Sequence, residues 1–300
     1  MKINSLHLFA GIGGGILADK ILGHRIVGAV EIEPYCRAVL KQRQEEGWLE
    51  HFPIFDDVKT FKGDEINEPI DLICGGFPCQ DISTAGRGQG IEGTKSRLFY
   101  ELIRICGAIR PRYIFLENSP AITGRGLGAC LKEIAALGYD AAWDCISAGQ
   151  LGAPHRRARW WCLCYFPNAN GKRELQPKRL VENVRRRLSY LGMSGTFKER
   201  AWSKNDRKTI ETKYISDANS MGRDKNRKES NQPTEARLSG LSGNDNGNVS
   251  GWWKVEPPLG RVVDEFPNRL DAIKGLGNAQ VPVCAALAFY LLLERFCDND

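Results

Sequence analysis

Apolar runs of strand length alternate with helix-like stretches along the first 165 residues, and this alternation limits the possible folds more than any other feature. The strand-like runs lie at 5–9, 25–31, 70–75 and 112–117, and the helix-like stretches lie at 14–22, 34–43, 96–109 and 126–137. Two later strands are predicted at 139–147 and 159–166. The alternation predicts an α/β domain with a doubly wound, mostly parallel sheet.

The first predicted strand runs into a glycine-rich loop that opens a helix. Glycines at positions 11, 13, 14 and 15 let the backbone approach a bound nucleoside closely. The second strand delivers Glu31 about twenty residues further on, where a carboxylate can accept hydrogen bonds from ribose hydroxyls. A tight turn and a solvated carboxylate would explain each feature alone. Together they predict a ligand that contains adenosine.

Cys79 follows Pro78 in a segment where another apolar run ends in two glycines, Gly75 and Gly76. A thiol there lies in a rigid loop just past a strand, where open α/β sheets display reactive groups. Most cysteines are small buried hydrophobic residues, and the chain has 10 of them. The setting of Cys79 in the sequence makes it the candidate nucleophile.

Composition narrows the class of protein. The cysteines lack paired C-x-x-C spacing, which disfavours structural zinc, and no secretory leader is apparent, so we expect reduced thiols in a cytoplasm. The longest apolar run, 281–296, contains Glu294 and Arg295 and is too short to span a bilayer. We expect it to form a buried terminal helix, with no membrane partner.

Positive charge is concentrated in one block. Residues 166–230 hold 17 Lys plus Arg against 8 Asp plus Glu, a net of +9, whereas the whole chain carries +6. The remainder is therefore 25 against 28, or −3. Such a block is usually a solvated surface. This one also contains aromatic residues, including Tyr190 and Trp202.

A series of ordered motifs resembles the DNA (cytosine-5)-methyltransferase family of bacterial or phage type, over residues 5–165 and again from about 256 to 290. The matching segments are Phe9-Ala10-Gly11-Ile12-Gly13-Gly14, Glu31-Ile32-Glu33-Pro34, Asp57-Val58, Pro78-Cys79-Gln80, Glu117-Asn118, His155-Arg156-Arg157-Ala158-Arg159 and Gly277-Asn278-Ala279-Gln280-Val281. Any one of these alone would be weak evidence, but their order and spacing together are specific.

The resemblance implies the S-adenosylmethionine-dependent methyltransferase fold and a methyl transfer from that cofactor to C5 of a flipped-out cytosine in duplex DNA. A covalent bond between Cys79 and C6 would form as an intermediate, without a metal. The implied catalytic residues are Cys79, Glu117, Arg157, Arg159, Asn118, Pro78 and Gln80. The implied cofactor-binding residues are Phe9, Gly11, Gly13, Gly14, Glu31, Ile32, Asp57, Val58 and Asn278.

Roles follow for three of these residues. Glu117 would hydrogen-bond or protonate cytosine N3 while the thiolate adds to C6. Arg157 and Arg159 alternate along a predicted strand, so we expect both guanidinium groups to point the same way, to hold cytosine O2 and to brace Glu117. The glycine-rich segment 81–97 has the composition of a mobile lid over the base.

Three positions depart from the family pattern. His7, Ser119 and His155 stand where the family commonly has Asp, Val and Gln. The departures affect the fine positioning of the site, and these residues are assigned no catalytic role.

The resemblance also predicts the domain organisation. Residues 1–165 and 256–300 would form the catalytic domain, and the basic block would lie within a target-recognition lobe at 166–255 that faces double-stranded DNA. Part of 220–250 is expected to be disordered in the free protein. The chain would act as a monomer in the cytoplasm of a bacterial host, associated with the nucleoid.

Three other functions remain open at this stage. The same scaffold would suit an RNA cytosine-5 methyltransferase, the glycine loop and Glu31 would also suit a dinucleotide-dependent oxidoreductase, and the chain could be an inactive DNA-binding module. The target sequence is not predicted, because it depends on the few side chains that reach the base edges. Whether a cognate restriction endonuclease acts separately also stays open.

Overall fold

A seven-stranded sheet is the centre of the molecule. The computed structural model describes residues 2–78, 98–151, 155, 157–167, 176–190 and 269–297. The chain divides into two compact units, and all of these residues belong to one of them, residues 1–201 with 262–300. The strands are β1 (Asn4–Leu8), β2 (Arg25–Val30), β3 (Ile54–Phe55), β4 (Leu72–Gly76), β5 (Tyr113–Asn118), β6 (Asp140–Ser147) and β7 (Ala158–Tyr165).

The sheet is doubly wound and mostly parallel, as the alternation predicted. Its strand order is β3-β2-β1-β4-β5-β7-β6. The strands β1 to β5 pair in parallel, and the order reverses between β1 and β4. Strand β7 is antiparallel to both of its neighbours. The short link from β6 to β7 explains this, because antiparallel strands need no crossover helix.

Helices follow most of the parallel strands. The α-helices of the described residues are α1 (Gly14–Leu22), α2 (Pro34–Glu45), α3 (Leu98–Ile109), α4 (Ile122–Arg125), α5 (Leu127–Ala136), α6 (Pro177–Tyr190), α7 (Arg269–Asn278) and α8 (Pro282–Glu294). Left-handed glycines bound α1, with φ of 95° at Gly13 and 81° at Gly23. Pro34 opens α2, where its missing N–H costs no hydrogen bond.

The sheet is covered on both faces, which is why its strands are nearly continuous apolar runs. On one face Phe115 stacks on Trp161 with ring centroids 5.4 Å apart, and Phe289 of α8 meets Phe115 edge-on at 5.4 Å. Helix α8 also packs on α1 and α6. Nine of its residues are buried, in agreement with the predicted buried terminal helix. The stretch 270–294 has the length and hydropathy of a membrane span, but its second half is this core helix.

Helix α6 packs against the unit that contains the sheet. Leu180, Val184 and Leu188 are buried along one face, which packs on α1 and α8. On another side Arg187 donates hydrogen bonds to the carbonyls of Ile21 at 2.7 Å and Lys20 at 3.0 Å. The sequence interpretation had placed this helix in the 166–255 lobe. Most of that lobe, including 220–250, lies outside the described residues.

Candidate active site

A pocket of about 510 Å³ opens at the edge where β1 to β5 end. This edge is the ligand-binding side of an open α/β sheet, and the volume is that of a small-molecule site. The pocket is lined by most of the predicted site residues that are described: Phe9, Gly11, Glu31, Ile32, Asp57, Val58, Pro78, Glu117, Asn118, Arg159 and Asn278.

Strand direction explains why residues so distant in sequence meet. Phe9 follows β1, Glu31 follows β2, Asp57 follows β3 and Pro78 follows β4, while Glu117 lies in the last two residues of β5. Carboxyl ends of parallel strands share one edge, so each strand delivers a residue to the same place.

Glu31 is a buried carboxylate held by two backbone amides. Its Oε2 accepts a hydrogen bond from Gly11 N at 2.6 Å, and its Oε1 accepts one from Glu33 N at 2.8 Å. A carboxylate has about four lone-pair sites. Two acceptor sites are therefore left to face a ligand hydroxyl pair.

The glycines of the first loop have different surroundings. Gly11 has φ 56°, and a Cβ there would meet no atom within 4 Å, so the pocket begins at its backbone. Gly13 and Gly14 lie behind the pocket lining. A Cβ at Gly13 would lie 2.9 Å from Leu40 Cδ2, and one at Gly14 would lie 2.9 Å from Gln280 N. These two glycines allow close packing and do not line the pocket.

The far wall of the pocket comes from the end of the chain. Asp271, Lys274 and Gly275 of α7 line it together with Asn278. Lys274 Nζ forms an ion pair with Glu33 Oε1 at 2.7 Å, which joins α7 to the loop after β2. Only Asn278 of this group was predicted. The pattern of α7 gave no sign of the others, because their position depends on how the helix docks.

Glu117 forms an ion pair with Arg159 across β5 and β7. Arg159 Nε lies 2.8 Å from Glu117 Oε1, and the Glu117 side chain is 12% exposed. Burial raises the pKa of Glu117 above its usual value, although the charges of Arg159 and Arg157 oppose the shift. A buried carboxyl with a raised pKa is suited to proton donation near neutral pH.

Arg157 has other partners. It lies just before β7 with φ 23°, and its Nη2 donates to the carbonyls of Gly277, at 2.8 Å, and Ala279. The expectation that Arg157 and Arg159 both brace Glu117 stays a prediction for Arg157, whose Nη2 bonds to these carbonyls while its charge lowers the pKa of Glu117. The Arg157 backbone leaves the strand conformation, so the strand alternation assumed for the pair does not hold. Arg157 also anchors the segment after α7.

Asn118 positions the chain at the pocket, beside the lining residue Pro78. Asn118 Nδ2 donates to Phe77 O at 3.2 Å, and Asn118 Oδ1 accepts from Ser119 N at 2.8 Å. This fixes the backbone of Phe77, the residue before Pro78. Cys79, Gln80 and the predicted lid at 81–97 lie outside the described residues.

The departures from the family pattern have distinct settings. His7 Nε2 lies 2.9 Å from Asp19 Oδ2, and His24 Nδ1 lies 3.0 Å from Asp19 Oδ1, so the three form a buried cluster. Burial would raise the pKa of Asp19, but His24 and His7 outweigh it and hold that pKa well below its usual range. Ser119 lines the pocket, and His155 is exposed.

Comparison with known proteins finds one matching family model and relatives with similar names. A family model described as C-5 cytosine-specific DNA methylase matches residues 3–258. The Type II methyltransferase M.CviJI of Paramecium bursaria Chlorella virus IL3A is 32% identical over 186 residues, which are 61% of this chain and 47% of that protein. The Type II methyltransferase M2.BsuMI of Bacillus subtilis strain 168 is 35% identical over 172 residues, 53% of this chain and 40% of that protein.

A solved structure of the S. pombe Dnmt2 methyltransferase is also similar, at 22% identity and a TM-score of 0.46, covering 57% of this chain and 52% of that one. This similarity is too distant to add to the argument. The chain spans about half the length of the curated relatives it matches.

Proposed function

Because the chain belongs to the C-5 cytosine-specific DNA methylase family, we propose that it transfers a methyl group from S-adenosylmethionine to C5 of a cytosine in duplex DNA. The observation that carries the proposal is the position of Glu117. A buried acid paired with Arg159 lines the same pocket as Glu31 and Asp57. An adenosine site and a proton donor therefore share one cavity, which neither an oxidoreductase nor an inactive module requires.

The pocket suits the cofactor. Glu31 keeps two acceptor sites for ribose hydroxyls, Asp57 and Val58 would contact the adenine, and Gly11 leaves room that a side chain would fill. Phe9, Ile32 and Asn278 complete the wall. When bound, S-adenosylmethionine supplies an electrophilic methyl group on a sulfonium.

The protein groups prepare the cytosine, whose C5 is too weak a nucleophile by itself. The Cys79 thiolate adds to C6, and Glu117 protonates or hydrogen-bonds N3 as electrons move toward it. Arg159 holds the Glu117 carboxyl, and its guanidinium would hold O2 of the base. After C5 has accepted the methyl group, it loses its proton to a base, and Cys79 leaves by elimination.

We assign recognition of the DNA target sequence to residues outside this pocket. Helix α6 packs on α1 and α8 of the catalytic unit, so we narrow the proposed recognition region from 166–255 to 191–255. The Lys and Arg residues that continue beyond α6 support contacts with DNA phosphates. The chain would act as a monomer. We place it in the cytoplasm beside the nucleoid, and the nine described cysteines, all free thiols, support a reducing compartment.

Bisulfite sequencing of DNA from cells that express the chain tests the proposal. The expected result is protected cytosines within one short sequence, present with wild-type protein and with Cys297→Ser but absent with Cys79→Ser. Cys297 lies in the turn after α8 and outside the pocket, so it controls for loss of a thiol. If wild-type protein leaves every cytosine convertible, the proposed activity is wrong.

Trapping tests the covalent step separately. A duplex with 5-fluorocytosine at the target should bind the wild-type protein irreversibly when S-adenosylmethionine is present, because fluorine cannot leave as the proton does. Equal trapping of Cys79→Ser would show that another residue is the nucleophile.

A further inference from the structure

Gln280 lies in the short segment between α7 and α8 that docks against the glycine loop. A Cβ at Gly14 would overlap the backbone oxygen of Gln280 and lie 2.9 Å from its nitrogen. The two backbones therefore approach as closely as glycine permits. This contact fixes the point from which the Gln280 side chain starts.

The Gln280 amide occupies a slot between two other glycines. A Cβ at Gly15 would lie 2.8 Å from Gln280 Oε1, and a Cβ at Gly76 would lie 3.2 Å from Gln280 Nε2. Side chains at either position would displace the amide. Gly15 is the second residue of α1 and Gly76 ends β4, so the slot is built from rigid elements.

The slot leads to Glu117. A Cβ at Gly76 would also lie 3.0 Å from Glu117 Oε2, so this oxygen and Gln280 Nε2 lie over the same glycine. Hydrogen bonding by the Gln280 side chain is one cause that lowers the pKa of Glu117, and because Nε2 and Oε2 lie over one glycine, the amide N–H would be the donor and the carboxylate the acceptor. Arg159 holds Oε1 from the other side. The carboxyl is thus fixed through both of its oxygens.

Arg157 keeps this arrangement in place. Its Nη2 donates to the carbonyls of Ala279, the residue before Gln280, and of Gly277, near the end of α7. The segment around Gln280 is held by Arg157 and by its close contact with Gly14. These two contacts limit the freedom of the Gln280 side chain.

We propose that Gln280 is a positioning residue for the methyl transfer, which orients the Glu117 carboxyl toward the cytosine from a segment anchored by Arg157. The inference rests on the proposed function, since it assigns Gln280 a part in that reaction. In the motif around Gly277-Asn278, Asn278 was predicted to bind the cofactor, so the proposal adds a role toward the base.

The test is Gln280→Met, which keeps the side-chain length and removes the donor. We expect kcat for transfer of a tritiated methyl group to unmethylated genomic DNA to fall about ten- to a hundredfold, the loss of one hydrogen bond to a charged group. The KM for S-adenosylmethionine should stay within about twofold. Gln280→Asn keeps the amide but shortens its reach, so its kcat should lie between those of the wild type and Gln280→Met.

A pH profile separates positioning from a merely structural effect. The Gln280 hydrogen bond lowers the pKa of Glu117, so Gln280→Met should raise that pKa further. Activity that depends on protonated Glu117 is lost as pH rises through its pKa, so the alkaline limb should move to higher pH. Gln42→Met is the matched control, because it removes an exposed amide–carboxylate bond to Glu46, and it should change neither kcat nor the limb.

An unchanged kcat in Gln280→Met, or a lower kcat with an unmoved limb, would overturn the proposal. If the wild-type protein shows no methyl transfer, the proposed function fails instead. The pKa of Glu117, followed by carbon-13 NMR of the carboxyl in DNA-free protein and assigned with Glu117→Gln, then decides the inference. A pKa that is the same in wild type and Gln280→Met rejects it.

Discussion

Arg159 and Glu117 are partners because their strands run in opposite directions. Glu117 lies near the end of β5, Arg159 lies near the start of β7, and antiparallel pairing brings these ends to one edge with Nε and Oε1 2.8 Å apart. A parallel β7 would have placed the arginine at the opposite edge. The reversal of one strand thus provides a buried acid with its cation.

Replacement of Glu117 by Gln should lower kcat about 10²- to 10⁴-fold, the range of a lost general acid. Affinity for S-adenosylmethionine should change little, because Glu31 and Asp57 carry that contact. Single-turnover methyl transfer and calorimetry measure the two quantities. Glu101→Gln, at an exposed ion pair with Arg104 on α3, is the control. A Glu117→Gln variant as fast as wild type would remove Glu117 from the mechanism.

Glu31→Ala should weaken S-adenosylmethionine binding roughly ten- to a hundredfold, because a ligand loses hydrogen bonds to a buried carboxylate. Calorimetry without DNA measures the change directly. Glu45→Ala is the control, since Glu45 is exposed on α2 and lies outside the pocket. We expect a much smaller effect there. Equal effects in the two variants would argue against a ribose contact at Glu31.

Gly14→Ala should destabilise the protein by about 1–3 kcal/mol, as overpacking does. The added methyl group would meet the backbone of Gln280, which cannot rotate away as a side chain can. In the control, Gly128→Ala, the methyl group enters open space on α5. The free energy of unfolding should there rise by about 0.5–1 kcal/mol, because alanine favours a helix over glycine. Urea unfolding compares the two, and a Gly14→Ala variant as stable as wild type contradicts the close approach.

Asp19→Asn should lower the free energy of unfolding at pH 7 by about 1.5–3 kcal/mol, because His7 and His24 lose a charged acceptor. The folded-state pKa of Asp19 lies well below its usual value. Its contribution is therefore complete above the unfolded-state pKa near 3.9 and declines as pH falls below it.

Thermal unfolding between about pH 3 and 7 checks the sign. The gap in melting temperature between wild type and Asp19→Asn should narrow as the pH is lowered past about 4. Asp140→Asn, at an exposed position on β6, should show no such gap. A gap that widens toward acid would mean that Asp19 does not titrate as proposed.

Exchange of residues 191–255 for the corresponding segment of a relative with another target should move methylation to the donor's sequence. Helix α6 is kept, because it packs on α1 and α8. Bisulfite sequencing identifies the modified site. A folded chimaera that still modifies the original sequence would place recognition within the catalytic unit.

Much of this arrangement could be predicted from the sequence, because strand ends are local features. Phe9, Glu31 and Glu117 each follow or end an apolar run, and parallel strands bring those ends together. The two-residue strand β3 was not predicted, since periodicity cannot be seen over two residues.

The positions that were missed depend on tertiary contacts. The partner of Gln280 is distant in sequence, and the backbone of Arg157 leaves the strand conformation just before β7. Helix α6 did carry a readable pattern, with Leu180, Val184 and Leu188 at helical spacing. The sequence interpretation did not recognise this pattern and placed the stretch in the 166–255 lobe.

The hydrogen bonds of Arg157 span 120 and 122 positions along the chain, which sets an order in time. During synthesis the ribosome delivers the strands, Glu31 and Glu117 well before Gly277 and Ala279. Until those carbonyls emerge, Arg157 lacks both acceptors and α7 cannot complete the pocket wall. A nascent chain can therefore assemble much of the sheet before α7 docks, and the pocket wall is complete only after translation has passed residue 280.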